Sequence, residues 1–216
     1  GFAFDGDGDR VMAVTGNGDL LDGDHILAIC GVFLKENNLL KSNTIVTTVM
    51  GNMGLDETLQ NHGIELIKTR VGDRYVMESM GDAGAVFGGE QSGHIIFKDY
   101  NTTGDGLITA LQLARVVVEK KQSLAELSKV LCKFPQYIQN IKVAKKIPLE
   151  NFPEIITQKQ KVEKWLVGKG RLLLRYSGTE PMIRVMIECK HEINMNEVTH
   201  DLVSAIKKCL NGGVNF

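Results

Sequence analysis

Three short stretches of this chain combine residue types suited to cations, hydroxyls and phosphates. The first is Asp5-Gly6-Asp7-Gly8-Asp9-Arg10. Residues two apart in extended backbone point the same way, so the three carboxylates converge. The interleaved glycines let the backbone curl around a point. Converging carboxylates repel one another unless a cation sits between them. Hard oxygen ligands in a small site suit Mg²⁺, which commonly bridges to a phosphate, and Arg10 places a positive group beside that phosphate. An EF-hand loop starting at Asp5 fails, because its sixth position is Arg10 rather than Gly and its twelfth is Gly16 rather than Glu. A solvated acidic turn is the remaining alternative for so short a motif.

The second stretch is Gly88-Gly89-Glu90-Gln91-Ser92-Gly93-His94. Glu90, Ser92 and His94 alternate onto one side and offer a strong acceptor, a hydroxyl and an imidazole. That set suits the hydroxyl array of a sugar, and a polar hairpin turn is the alternative. The third is Arg175-Tyr176-Ser177-Gly178-Thr179-Glu180-Pro181, with Arg184 just beyond. Arg175 ends a strand of three leucines, which aims its charge. Two arginines, two hydroxyls and the amides of the bend at Gly178 make a phosphate cradle, or a plain turn with surface arginines. A weaker fourth loop, Thr69–Tyr75, carries Arg74. That residue reads either as a substrate contact or, in slight preference, as a solvated arginine at a helix start.

The elements that must position these loops follow a βαβα alternation. Strands are expected at Arg10–Thr15, Thr44–Val49, Ile64–Thr69 and Ala85–Gly88. Helices are expected at Asp24–Glu36 (capped by Asp22 or Asp24), Leu55–His62, Asp73–Gly81 and Asp105–Glu119, the last with an apolar face through Leu107, Ala110, Leu111, Leu113, Ala114 and Val117. Ser123–Glu126 is a capping box opening one more helix. This pattern predicts an α/β domain with a mostly parallel or mixed sheet flanked by helices, whose ligands sit at the C-terminal ends of strands. After Phe134-Pro135 the pattern changes. Strands at Tyr137–Lys146, Arg171–Tyr176 and Ile183–Cys189 accompany helices at Glu154–Lys164 and Asn194–Leu210. This predicts a smaller α+β domain of about eighty residues.

A formal net charge of −1 supplies no field for nucleic acid or an anionic membrane. No apolar run is long enough to span a bilayer, and the start carries no signal-peptide pattern. Cys30, Cys132, Cys189 and Cys209 form no CxxC pair, which points to reduced thiols in a cytoplasmic protein. Phe2-Ala3-Phe4 reads as the end of a buried strand with no preceding partner, so the chain is expected to be cut from something longer.

These loops, in this order and spacing, resemble the α-D-phosphohexomutase family along essentially the whole chain, and within it the glucosamine branch. The resemblance implies Mg²⁺ on Asp5, Asp7 and Asp9, and sugar hydroxyls on Glu90 and Ser92. Gln91 between them is similar to the glucosamine branch, where the mannose/glucose branch usually has Met. His94 is implied near the reacting groups as an aid to proton transfer, and Arg74 as an acid/base or substrate contact. Arg175, Ser177, Gly178, Thr179 and Arg184 are implied on the substrate phosphate, with Arg10 also contacting substrate. The family has four domains. Residues 1–20 would be the tail of the second, 21–134 the third and 135–216 the fourth. The implied activity is an intramolecular phosphotransfer, an isomerisation of glucosamine 6-phosphate to glucosamine 1-phosphate through a phosphoserine and a 1,6-bisphosphate. Glucose or mannose phosphates are the alternative substrates. The Ser-His-Asn-Pro signature of the phosphoserine loop is absent from this sequence. The chain alone, lacking the N-terminal domains, is therefore expected to bind sugar phosphate without turning it over.

Overall fold

The computed structural model describes residues 1–177, 180–190 and 194–211, without the side chain of Asn211. The chain forms two compact units, residues 1–133 and 134–216.

The first unit opens with a small antiparallel sheet of β1 (Phe2–Phe4), β2 (Val11–Val14) and β3 (Leu20–Leu21), in which Phe4 pairs with Val11. Contrary to the sequence expectation, β1 is exposed, with Phe2 at 41% and Phe4 at 47%. Apolar composition suggested burial, but among the described residues the strand has a sheet partner, β2, on one edge only. Asp22 then caps α1 (Gly23–Glu36) by accepting from the His25 amide at 3.5 Å. Asp24 lies inside that helix and is fully buried.

The main sheet has the order β5-β4-β6-β7: β4 (Thr44–Thr48) is parallel to both β5 (Glu65–Thr69) and β6 (Phe87–Gly89), and β7 (Ile95–Phe97) is antiparallel. The sheet is therefore mixed. Alternation along its strands sorts side chains into two cores. Ile45, Phe87, Ile95 and Phe97 join Ile26, Leu27 and Leu113 from α1 and α4 (Gly106–Lys120), together with Leu55 and Leu59 of α2 (Met53–Asn61). Val46 and Ile96 face the opposite way, onto Val76 and Met80 of α3 (Asp73–Asp82). Helices thus cover both faces. The expected apolar face of α4 needs correction: Ala110, Leu113 and Val116 are buried, whereas Leu107 and Leu111 are 62% and 61% exposed. A 3.6-residue period accepts either stripe, and packing selected the one that faces α1. After α5 (Leu124–Leu127), opened by the expected capping box, the chain leaves the unit.

The second unit is a three-stranded antiparallel sheet, β8 (Gln136–Lys142), β10 (Met182–Cys189) and β9 (Gly170–Tyr176) in that order, with α6 (Pro153–Leu166) and α7 (Met195–Asn211). Ile183, Val185, Ile187 and Cys189 point into the helical core with Ile155, Val162, Leu202 and Ile206. Period-two geometry then places Arg184, Met186 and Glu188 on the other face. The expected strand at Tyr137–Lys146 is shorter, because pairing with β10 ends at Lys142 opposite Met182. Among the described residues no helix is long and apolar enough to cross a membrane.

Candidate metal, sugar and phosphate sites

The acidic loop spans the turn between β1 and β2 rather than an extended strand. Its carboxylates converge because the hairpin bends, with Gly8 at φ 74°. One carboxylate oxygen each from Asp5, Asp7 and Asp9 lies within 4.8 Å of the others. The Arg10 amide donates to Asp5 Oδ1 at 3.2 Å, and Arg10 Nε lies 3.7 Å from Asp5 and 3.8 Å from Asp9. Asp9 Oδ1 is buried and accepts no hydrogen bond. Arg10 Nε, 3.8 Å from this same oxygen, is too far for a hydrogen bond, so a buried carboxylate oxygen is left without a direct donor, which is costly. This orphaned oxygen, with two further carboxylates in reach, fits a hard divalent ion.

The acidic loop is braced from two sides. The Gly106 amide at the start of α4 donates to Gly8 O at 2.9 Å. His94, at 4% exposure, approaches Asp9 Oδ2 with Nδ1 at 2.9 Å.

Glu90–His94 forms the tip of the β6–β7 hairpin, closed by Glu90 N to His94 O at 2.9 Å and Gly93 N to Glu90 O at 3.0 Å. The tip is locked to its surroundings. Val11 N donates to Gly93 O at 3.1 Å, and Gly23 N, at the start of α1, donates to Gln91 O at 3.0 Å. Gly93 sits at φ 89°, and a Cβ there would come within 2.4 Å of Val11 O, so only glycine lets the tip reach β2. The Glu90 carboxylate accepts from the Gly72 amide at 3.1 Å through Oε1, with Ser92 Oγ at 3.5 Å from Oε2. Glu90, Gln91 and Ser92 remain half-buried, so the hairpin presents an acceptor, an amide and a hydroxyl on a rigid support.

Arg74 is not brought to this cluster. Its Nε donates to Glu78 Oε1 at 2.7 Å along α3, and that bond, with the Glu78 charge, raises its pKa. Its neighbour Arg70 instead stacks on Tyr75 at 3.7 Å.

Behind the hairpin, Lys133 pairs with Asp22 and lies 3.4 Å from Asp24. Burial, then the Asp22 charge, push the Asp24 carboxyl up to about 6, although it accepts from the Asn52 amide at 3.1 Å.

In the second unit, sheet register builds the arginine site. Asn140, Arg184 and Arg175 form one cross-strand row, and Gln136, Glu188 and Arg171 form another on the same face. Arg171 Nε meets the fully buried Glu188 at 2.6 Å, and Gln136 satisfies its other oxygen. Arg175 faces Arg184 instead. Its pKa is lowered, by burial first and by the Arg184 charge second, and its Nε is buried without a partner. Arg184 Nε donates to Asn140 Oδ1 at 3.1 Å. Ser177 Oγ accepts from the Glu180 amide at 3.3 Å, and Lys146 donates to Ser177 O at 2.7 Å. Gly178 and Thr179 lie outside the described residues. Two adjacent, partly desolvated guanidiniums with no carboxylate partner among the described residues suit a bound anion.

Sequence reasoning missed Asn140, Lys146 and Gly104. The first two become visible only through strand register and the fold of the second unit. Gly104 immediately precedes the Asp105 cap of α4, a local signal that marked the helix start but not its neighbour.

Residues 22–134 match the family model described as phosphoglucomutase/phosphomannomutase, alpha/beta/alpha domain III, and residues 139–205 match the C-terminal domain of the same family. The chain is 48% identical over 213 residues to a phosphoglucosamine mutase of Alkaliphilus oremlandii, and 50% identical over 214 residues to one of Clostridium acetobutylicum. Each alignment covers 98% of this chain, and the chain spans about half the length of these curated relatives (47% and 48%). Among solved structures, Aspergillus fumigatus N-acetylphosphoglucosamine mutase in complex with GlcNAc-6P and magnesium superposes with a TM-score of 0.78 at 17% identity, over 96% of this chain and 48% of that one. A phosphoglucomutase/phosphomannomutase family protein of Burkholderia thailandensis gives 0.77 at 24% identity, over 100% and 47%. These structural likenesses establish a shared fold.

Proposed function

This chain belongs to the phosphoglucomutase/phosphomannomutase family, and on that basis we propose that it carries the metal-holding, sugar-reading and phosphate-holding loops of a mutase interconverting glucosamine 6-phosphate and glucosamine 1-phosphate. The observation that carries this reading is the joining of the acidic loop to the Glu90 hairpin, through Asp9–His94 and Val11–Gly93. A cation site and a hydroxyl-reading site thereby share one rigid frame.

In this reading Asp5, Asp7 and Asp9 hold Mg²⁺. The ion would neutralise charge on the phosphoryl group in transfer. Glu90 accepts from sugar hydroxyls while the Gly72 amide and the hairpin fix its carboxylate. Ser92 donates or accepts beside it, and Gln91 is the position that separates glucosamine from the other hexoses. Arg10 offers charge next to the acidic loop. Arg175 and Arg184, with Ser177, Gly178 and Thr179, take the phosphate that stays on the sugar. Asn140 orients Arg184.

The transferred group comes from a phosphoserine outside this sequence. The sugar 1-hydroxyl takes it from serine to give the 1,6-bisphosphate. The bisphosphate turns over, and the freed serine takes the 6-phosphate, leaving the 1-phosphate. Because the same arginine site must hold either phosphate in turn, discrimination between hexoses falls to Glu90–Ser92.

Residues 1–20, 21–134 and 135–216 are assigned to the second, third and last domains of the parent, a division supported by the spans of the two family models. On this reading the parent is a cytoplasmic phosphoprotein feeding amino sugars toward peptidoglycan precursors, and the 216-residue chain alone binds without turnover. Turnover of glucosamine, glucose and mannose 6-phosphates by the full-length parent tests the reading. A preference of roughly tenfold or more for glucosamine is expected. Equal or faster turnover of glucose or mannose phosphate would replace the assigned substrate.

A further inference from the structure

We propose that His94 is a positioning residue. It fixes Asp9 as a pre-oriented metal ligand through its Nδ1–H. The inference rests on the metal reading above and goes beyond it.

The tautomer follows from the neighbours. The Gly104 amide points at His94 Nε2 from 3.1 Å. A backbone amide can only donate, so Nε2 contributes its lone pair and the ring proton sits on Nδ1. Nδ1 therefore donates to Asp9 Oδ2 at 2.9 Å. Both nitrogens are engaged in a side chain that is 4% exposed.

The ring is also clamped sterically. A Cβ on Gly104 would lie 2.4 Å from His94 Cε1 and Nε2, so the imidazole occupies the space a side chain there would need. Gly104 leads directly into the start of α4, where the Asp105 carboxylate accepts from Ile108 N at 2.9 Å and Gly106 N holds Gly8 O at 2.9 Å. The helix start thus fixes the acidic loop twice, directly through Gly8 and through the imidazole on Asp9. With Oδ2 taken, the carboxylate cannot rotate freely, and Oδ1 is left buried without a donor. Hydrogen bonds of this kind behind a ligand are worth about 10–100-fold in metal affinity.

Mn²⁺ binding to the 216-residue chain, read by the electron paramagnetic resonance of the free ion, tests this. His94→Ala should weaken binding by about 10–100-fold. His94→Asn, whose amide N–H replaces the Nδ1 donor, should restore most of the loss. Gly104→Ala should weaken binding as His94→Ala does, because it displaces the ring. Unchanged affinity in a folded His94→Ala chain, or no rescue by asparagine, would overturn the inference while leaving the metal reading intact. No Mn²⁺ uptake by the unsubstituted chain would instead overturn the metal reading. Should His94→Ala fail to fold, ¹⁵N–¹H correlations of the unsubstituted imidazole decide the matter: an Nδ1–H tautomer is expected, and an Nε2–H tautomer would overturn it.

Discussion

The acidic loop of the first unit and the arginine row of the second each gather like charges, but by different means. Asp5, Asp7 and Asp9 sit on a hairpin bend that needs bracing from outside, supplied by Gly106 and His94. Arg175 and Arg184 need less, because antiparallel register places them opposite each other on adjacent strands. The same sheet holds its own control. Arg171, four residues earlier on the same face, meets Glu188 and is neutralised. A charge paired within the chain serves the fold. A like-charged pair left uncompensated and partly desolvated suits a ligand of opposite sign.

Breaking this contrast should give its largest effect at Arg171. Arg171→Ala leaves the buried Glu188 without its guanidinium and should cost about 3–5 kcal/mol in a urea melt. Arg175→Ala relieves repulsion from Arg184 and should leave the midpoint unchanged or higher. Equal losses at the two positions would remove the distinction between them.

A comparable distinction separates the acids of the first unit. Asp24 has Lys133 at 3.4 Å, yet burial and the Asp22 charge outweigh that cation and raise its carboxyl to about 6 from 3.8. The folded state binds this proton more tightly than the unfolded chain, so ionising Asp24 costs stability. That cost is absent below about pH 4 and complete above about pH 6. Relative to the unsubstituted chain, Asp24→Asn should therefore gain up to about 3 kcal/mol between pH 4 and pH 7. A difference that stays flat across this window would place the Asp24 titration elsewhere.

The functional side of the contrast is next in size. Arg175→Ala should raise KM for glucosamine 6-phosphate in the full-length parent by about 10–100-fold, the loss of one charge-assisted hydrogen bond. An unaltered KM would return the loop to a plain turn. The smallest effect is expected at Arg74, which is exposed and paired along its own helix. Arg74→Ala should leave the thermal midpoint and kcat within experimental scatter. A loss of kcat at constant stability would give it the catalytic role that the family resemblance implied.

The three loops were legible in the sequence because each is a contiguous run whose chemistry is local: alternating carboxylates, a polar hairpin tip, an arginine ending a leucine strand. The long helices and β-branched strands were legible because burial imposes a period on them. Leu20–Leu21 and Ile95–Phe97 were not, since runs of two and three residues carry no period. Nor could the sequence choose between the two apolar stripes of α4, as both satisfy helical spacing.

Tertiary structure decided what each chemical group can do. His94 and Asp9 are 85 residues apart, and only their meeting, with Gly104 on the far side of the ring, fixes a tautomer. The pairing of Arg175 with Arg184, and of Arg171 with Glu188, depends on strand register, which one residue of slip would reverse. Residue type determined which ligands this chain could hold. Which groups are left unpaired to hold them was set by contacts between segments distant in sequence, because hydrogen bonding and desolvation act over a few ångströms of space regardless of separation along the chain.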